Sequence, residues 1–456
     1  MHRFVAGCAR VPLLLRPGVE LMGYALREGR ASGVLDPLYA RAVYLRGARE
    51  TLLVILDLCL LAPAQAADVR GRLSARTGIP GDRILVSCIH THSGPDTGLG
   101  ALLAGREAPE HVPEILAAAV EAGMRAMAAA VPARLGVGVA SLAVGRNRRR
   151  EDAAVDPAAR IVRIDHADGA PLAILWLHGC HPTALGHENL AYSADWPGAA
   201  SATVEAAFPG ALAAFVLSAH ADVDPRTRGL QDLARTNRSL GVDAETMRGL
   251  GREAGAAVAR AAGAIVTMPD VPVDVASMRV PLPVHGGADA AAAEERLALR
   301  RREAFEALGL ASDARVRLPE LYRLADACVA TLAPAEARER VARVRLYLRD
   351  RSAPAFAGGR VPEVEVQALR VGDARWLALP LEPTVRVGLE WTRRTGSASA
   401  AVLSIANGWL RYLPHPDEFA EPHADQGYEV LTSTFVPEAA SRLLDAGEQL
   451  LSSLSG

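Results

Sequence analysis

Short apolar runs bounded by turn residues alternate along the first half of the chain with longer stretches of helical period. Strands are predicted at residues 40–45 and 51–61, paired around Gly47-Ala48-Arg49-Glu50, and again at 84–89, 134–144, 160–164, 173–177 and 213–218. Helices are predicted at 63–77, closed by Gly78, and at 107–130, 196–208 and 244–262. Asp168-Gly169 between two strand patterns is the signal of a two-residue hairpin. Strand character returns at 363–371 and 375–379, followed by a helix at 384–393, a strand at 400–405, an irregular stretch from Asn407 to Tyr428 and a closing helix at 437–454. The order predicts an α/β chain with a mixed β-sheet core and flanking helices.

Residues 286–348 break this alternation. Nearly everything there is Ala, Arg, Glu and Leu, as in Ala290-Ala291-Ala292-Ala293-Glu294-Glu295-Arg296. These are strong helix formers with interspersed charge. The expectation is a single domain over residues 1–456 that carries a helical insertion, either a solvated appendage or a lid over a site.

Half the residues are hydrophobic and 22% are charged, which excludes a disordered chain. The formal net charge of −2 gives no global field to draw nucleic acid or an anionic membrane. Neither a signal-peptide pattern nor an apolar run long enough to span a bilayer is present, so a cytoplasmic protein is expected. The cysteines are five (Cys8, Cys59, Cys88, Cys180 and Cys328), with no Cys-x-x-Cys, and are expected as reduced, buried thiols.

Candidate chemistry gathers where strands end. The apolar run 84–89 leads into His90-Thr91-His92-Ser93-Gly94-Pro95. Residues i and i+2 of a strand share a face, so both imidazoles are expected side by side, as metal ligands or a general base. His181-Pro182-Thr183 follows the strand at 173–177, and Ser193-Ala194-Asp195 opens the next helix, with His178 and His187 as nearby competitors. In His220-Ala221-Asp222-Val223-Asp224 the two acids either bind a hard cation or cap the following turn. Capping is the expectation for Asp224. Glu382, between two prolines, is either a helix N-terminal acid or a rigidly placed ligand. The basic run Gly145-Arg146-Asn147-Arg148-Arg149-Arg150 is either a solvated loop or an anion clamp. Tyr412 and Tyr428 lie on irregular backbone.

The order of these stretches resembles the N-terminal catalytic domain of the neutral ceramidase family. The matching segments run from Phe4-Val5-Ala6-Gly7 through Gly23-Tyr24, the His90 and Asn147-Arg148 motifs, His181-Pro182-Thr183 and Asn407-Gly408 to Tyr428-Glu429. The resemblance implies a single zinc bound by His90, His181, Glu382 and Tyr412, with His92, Arg148 and Tyr428 around a scissile amide. Asp195, Asp222 and Asp224 are expected as supporting residues. Imidazole and carboxylate suit zinc, and an open position admits water. Two departures stand out. Asp224 occupies the place of a serine in the family's Gly-Asp-Val-Ser-Pro motif, and the chain stops at Gly456 without the immunoglobulin-like C-terminal domain of the secreted members. The function expected is hydrolysis of a linear amide, ceramide-like or small and soluble, by metal-activated water. The alternatives are a two-metal phosphoesterase using Asp222 and Asp224, and a non-catalytic paralogue serving as a binding module.

Overall fold

The structure, a computed structural model, describes residues 4–99, 101, 107–228, 241–285, 290–316, 318–352, 362–420 and 427–454. The expected start of the insertion at Gly286, and residues 421–426 of the expected irregular stretch, lie outside the described residues.

Eight strands form one mixed sheet in the spatial order Leu212–Leu217, Pro171–His178, Ala158–His166, Val131–Ser141, Val5–Pro12, Tyr39–Arg46, Glu50–Leu56, Ile84–Cys88. Interior neighbours are antiparallel, and the pair at each edge is parallel. A parallel pair needs a crossover. Helix Pro63–Thr77 supplies it at one edge, between Glu50–Leu56 and Ile84–Cys88, and helix Asp195–Ala207 at the other. Gly78 ends the first of these in the left-handed conformation, as expected of a glycine past a helix C-terminus.

A second sheet of four strands runs Val273–Pro281, Glu363–Val371, Ala374–Ala378, Ala401–Leu403. Its last strand closes the gap between the two edges of the large sheet. Leu403 bridges Ser218 at one edge, and Ala406 bridges Ser87 at the other, both antiparallel. By strand order alone the two edges of the large sheet run in opposite senses. Twist of roughly 20–25° per step, summed over the intervening steps, turns them toward a common direction. The carboxyl ends of the strands ending at Cys88, His178, Leu217 and Ala378 consequently open onto one place. Ligand sites of α/β sheets lie in this position.

The predicted order of elements holds, and the α/β class with it. Two long strands carry no sequence prediction. Val5–Pro12 pairs with Tyr39–Arg46 along its whole length, and Val273–Pro281 pairs with Glu363–Val371. The helix expected from 107 begins at Val112, after Pro109. Three cysteines are buried as expected, but Cys8 and Cys328 are only partly so. Cys8 lies midway along the interior strand Val5–Pro12 with its thiol on the Leu172 carbonyl, and Cys328 sits on an insertion helix.

The insertion comprises helices Ala290–Ala307, Leu318–Thr331 and Pro334–Ser352. It leaves and re-enters at Pro281 and Glu363, which are register partners, so it hangs from one end of a strand pair. It has its own small core of Ala304, Phe305, Leu321, Val344 and Tyr347. Ala342 and Leu346 dock it on Leu431. Among the described residues no helix is long and apolar enough to cross a membrane.

His178, at the end of its strand, is buried with Nδ1 3.2 Å from the Ala158 carbonyl oxygen. Burial pushes its pKa down to about 4 from 6.5. The unfolded chain therefore binds the extra proton first, so the contribution to stability is complete above pH 6.5 and lost as pH falls toward 4. The loss amounts to about 3 kcal/mol at most. Thermal denaturation of wild type and His178→Gln across this range should show a flatter acid slope for the variant. Coincident slopes would remove His178 from the acid response.

Candidate metal centre

Four side chains from four strand ends converge. One donor atom each from His90, His181, His220 and Glu382 lies within 4.8 Å of all the others, and all four residues are buried. Glu382 Oε2 is 3.4 Å from His90 Nε2, 3.7 Å from His181 Nε2 and 3.4 Å from His220 Nε2. Its other oxygen accepts from Trp409 Nε1 at 2.6 Å.

The outer partners set the tautomers. His90 Nδ1 donates to the Cys59 carbonyl at 2.8 Å, His181 Nδ1 to the Val223 carbonyl at 3.0 Å, and His220 Nδ1 to the Ser218 carbonyl at 3.0 Å. Each imidazole is thereby left with Nε2 as its lone-pair donor, turned toward the same carboxylate oxygen. Metal-ligating histidines are held in this way. His220 Nε2 and Glu382 Oε2 are buried and have no hydrogen-bond partner among the described residues. Orphaned polar atoms of this kind are rare and costly, and a cation between them would satisfy both. Burial alone would raise the Glu382 carboxyl, but the three imidazoles hold it well below the usual carboxylate range. Burial lowers His181, and it pushes His220 down to about 3, with the charge of His181 adding to the effect.

The backbone is unusual around this point. His90, Asp195, Ile405, Asn407 and Arg411 all have positive φ. Non-glycine residues adopt that region at a cost and tend to do so at functional sites. His90 and His92 meet as expected, with Nε2 atoms 3.3 Å apart, but a turn brings them together because the strand ends at Cys88. Gly23, at φ +115°, must be glycine here, since a Cβ would lie 2.3 Å from the His92 ring. Burial and the neighbouring His90 and His181 keep His92 well below the ordinary histidine pKa.

A buried ionic wall stands beside the cluster. Glu429 Oε1 accepts from Arg148 Nε at 2.8 Å and also from Nη2. Arg149 binds Glu418 at 2.8 Å. Asp222 accepts from Val385 N at 2.7 Å and Asn147 Nδ2 at 2.8 Å, tying the second sheet's crossover helix to the Arg148 loop. Asp195 accepts from the backbone of Ala184, Leu185 and Trp196, which fixes the loop after His181. The Tyr428 ring is 5.7 Å from the Arg148 guanidinium and 4.8 Å from that of Arg345, a residue of the insertion.

Residues 16–241 match the family described as neutral/alkaline non-lysosomal ceramidase, N-terminal. A neutral ceramidase of Mycobacterium tuberculosis is 25% identical over 468 residues, spanning 89% of this chain and 70% of that protein. Neutral ceramidase A of Dictyostelium discoideum is 28% identical over 256 residues, 47% of this chain and 35% of its own. In fold, the chain superposes along its whole length on 75% of the neutral ceramidase from Pseudomonas aeruginosa, with a TM-score of 0.72 at 19% identity. A ceramidase complexed with C2 gives 0.73 at 18%, with the same coverage. Over residues 16–241 the chain carries the N-terminal domain of the neutral/alkaline ceramidase family.

Of the residues expected to hold a metal, His90, His181 and Glu382 come together. Tyr412 lies beside them by register, as the strand partner of Glu382, and the charge of that carboxylate adds to burial in raising its phenol. His220 was not expected as a ligand. Its signal was its place just beyond the strand Leu212–Leu217, the same place that His90 and His181 take after theirs. Cys59 was also missed, and its sulfur is 3.5 Å from His90 Nδ1. Asp224, at the family's serine position, does not enter the metal group. Its carboxylate is 3.5 Å from His181 Nδ1, 3.6 Å from Arg148 Nη1 and 3.8 Å from Arg228 Nη1. His178 and His187 stay outside the cluster.

Proposed function

We propose that the chain hydrolyses a linear amide, ceramide-like or small and soluble, with a zinc ion held by His90, His181, His220 and Glu382. The observation that carries this reading is the three Nε2 atoms and one carboxylate oxygen converging on a buried point, with two of those atoms orphaned. Imidazole and carboxylate are ordinary zinc donors. Zinc bound there supplies a Lewis acid that brings the pKa of water toward about 7 and polarises a carbonyl. The family relatives are hydrolases by name, which supports the choice of reaction.

The chain's own residues divide the remaining work. His92, neutral and 3.3 Å from His90, takes a proton from the attacking water and passes it to the departing amine. Arg148 keeps Nη1 outside its clasp with Glu429, and that N–H with the Tyr428 hydroxyl steadies the carbonyl oxygen as negative charge develops. Tyr412 borders the ligands beside Glu382 and is available as a further oxygen donor. Asp224 excludes the covalent serine route at its position. The insertion acts as a lid. It touches both sides of the site, through Arg345 against Tyr428 and through the Arg323–Glu28 ion pair. A phosphoesterase with two metals is disfavoured because both oxygens of Asp222 are already engaged.

Metal analysis and turnover test the reading together. The purified protein should hold about one zinc per chain. It should cleave a long-acyl ceramide or a short N-acyl amine, lose that activity to a chelator and regain it with zinc. Two ions per chain would favour the phosphoesterase. A loaded protein that binds such amides without cleaving them would be a binding module.

A further inference from the structure

Behind His92 stands a second group of residues that the hydrolytic reading leaves unused. The Tyr24 ring meets the His92 ring edge-on at 4.7 Å. Two guanidinium groups face Tyr24, Arg27 at 4.9 Å and Arg228 at 5.7 Å from the ring centre. Arg228 Nη1 also donates to the Tyr24 hydroxyl at 3.4 Å. The charge balance of these two arginines is abnormal for the molecule. Arg41 is clasped by Asp57 at 2.6 Å and Arg148 by Glu429, both buried, and the partly buried Arg149 is clasped by Glu418. Among the described residues Arg27 has no carboxylate within ion-pair distance, and its guanidinium makes one hydrogen bond, to the Met22 carbonyl at 3.4 Å. Arg228 is 5% exposed, and among the described residues the one carboxylate within ion-pair distance of it is Asp224 at 3.8 Å, an acid that also answers Arg148 at 3.6 Å. Nε and Nη2 of Arg27 and Nε of Arg228 are buried nitrogens with no acceptor. Desolvated donors left unpaired are costly, and a planar guanidinium is shaped to take a carboxylate through two parallel bonds.

We propose that Arg27 and Arg228, set about Tyr24, receive a carboxylate on the amine half of the substrate, so that the amide cleaved belongs to an N-acyl amino acid. The inference rests on the hydrolytic reading for its chemistry. Its geometry fixes which half carries the charge. The pair lies one ring beyond His92, the group that hands its proton to the amine, so the anion sits within a few atoms of the scissile nitrogen. A phosphate at the far end of a lipid headgroup does not meet that spacing. Water's oxygen forms the new bond to the acyl carbon, the carbon–nitrogen bond breaks, and the nitrogen takes a proton. The products are a carboxylic acid and a free amino acid.

N-octanoylglycine and N-octanoylethanolamine form a matched pair, since they differ in carrying a carboxylate or a hydroxymethyl group. The wild-type zinc enzyme should prefer the acid in kcat/KM by about 10-fold or more, mainly through KM. Arg27→Met should lower that acid-to-alcohol ratio about 10- to 100-fold, and Arg27→Lys should restore part of it. Arg228→Met should act in the same direction. Should that buried variant fail to fold, the partly exposed Arg27 decides. A ratio favouring the alcohol, or one that Arg27→Met leaves in place, overturns the proposal. Calorimetric binding of both compounds to the metal-free protein separates this outcome from failure of the hydrolytic reading. If neither compound is cleaved, tighter binding of the acid that is lost in Arg27→Met still supports the anion site, and equal binding of the two removes it.

Discussion

His90→Ala is expected to lose bound metal and turnover together. The Nε2 of His90 is 3.4 Å from the carboxylate oxygen on which the other two imidazoles converge, and among the described residues no second histidine is placed to replace it. His92 is the nearest, but its Nε2 faces His90 itself. Losing an outer partner of a metal ligand costs roughly 10- to 100-fold in affinity, and losing the ligand should cost more. His220→Ala extends the same test to the residue that only the folded structure singled out, and it too should lower metal per chain after dialysis against a fixed zinc buffer. His92→Ala should behave differently, retaining metal while turnover falls roughly 10²- to 10⁴-fold, the range of a lost proton-transfer group. Atomic absorption and single-turnover rates on the three variants make the comparison. Full metal content in His90→Ala would dissolve the assignment of the site.

What could be read in the chain beforehand follows the physics of each signal. The helix Pro63–Thr77 carries proline at its start and glycine after its end, and both bounds were legible. The strand ending at Cys88 is apolar except at Ser87 and is buried at all five positions. Val5–Pro12 gave no such signal, because Gly, Cys and Arg interrupt it and its strand character comes from eight consecutive partners in Tyr39–Arg46. Val273–Pro281 does alternate in sequence, but its exposed positions are short and mixed, and pairing with Glu363–Val371 decides it. The site divides in the same way. A histidine just past an apolar strand was a local signal that found His90 and His181. It was equally present at His220, where the two acids that follow drew attention away from the imidazole. The tertiary fact is that these particular strand ends adjoin. It depends on accumulated twist and on the 403–406 segment bridging both edges of the large sheet, which no local pattern encodes. Asp224 likewise faces Arg148 at 3.6 Å, a residue of a distant loop that no local pattern brings to it, besides Arg228 of its own following turn at 3.8 Å.

Glu429→Gln should destabilise the protein by about 3 kcal/mol or more, out of proportion to a change of one atom. Glu429 is fully buried at the first turn of helix Tyr428–Thr432. It accepts from Arg148 at 2.8 Å and lies 2.9 Å from Arg149 Nε. Those two cations, with burial working against them, hold its carboxyl below the usual range. Neutralising it leaves two desolvated guanidinium groups short of one charge. Breaking a buried pair is expensive for that reason, even where the intact pair contributes little relative to apolar residues. Asp222 and Glu418 still face Arg149, and Asp224 still faces Arg148, which keeps the loss toward the lower end of the roughly 3–5 kcal/mol range. Glu390→Gln is the matched control. Its pairs with Arg393 and Arg394 lie at the surface and depress its pKa to about 2, yet exposed pairs contribute about 1 kcal/mol or less. Urea titrations of the two variants should therefore separate clearly. Activity measured where Glu429→Gln is still folded adds a second readout. Tyr428 is its neighbour in sequence, and Arg148 loses the clasp that aims its Nη1, so kcat should fall beyond what the unfolded fraction explains. If Glu429→Gln unfolds at the same urea concentration as Glu390→Gln, the ionic wall is not what holds the insertion side of the site in place.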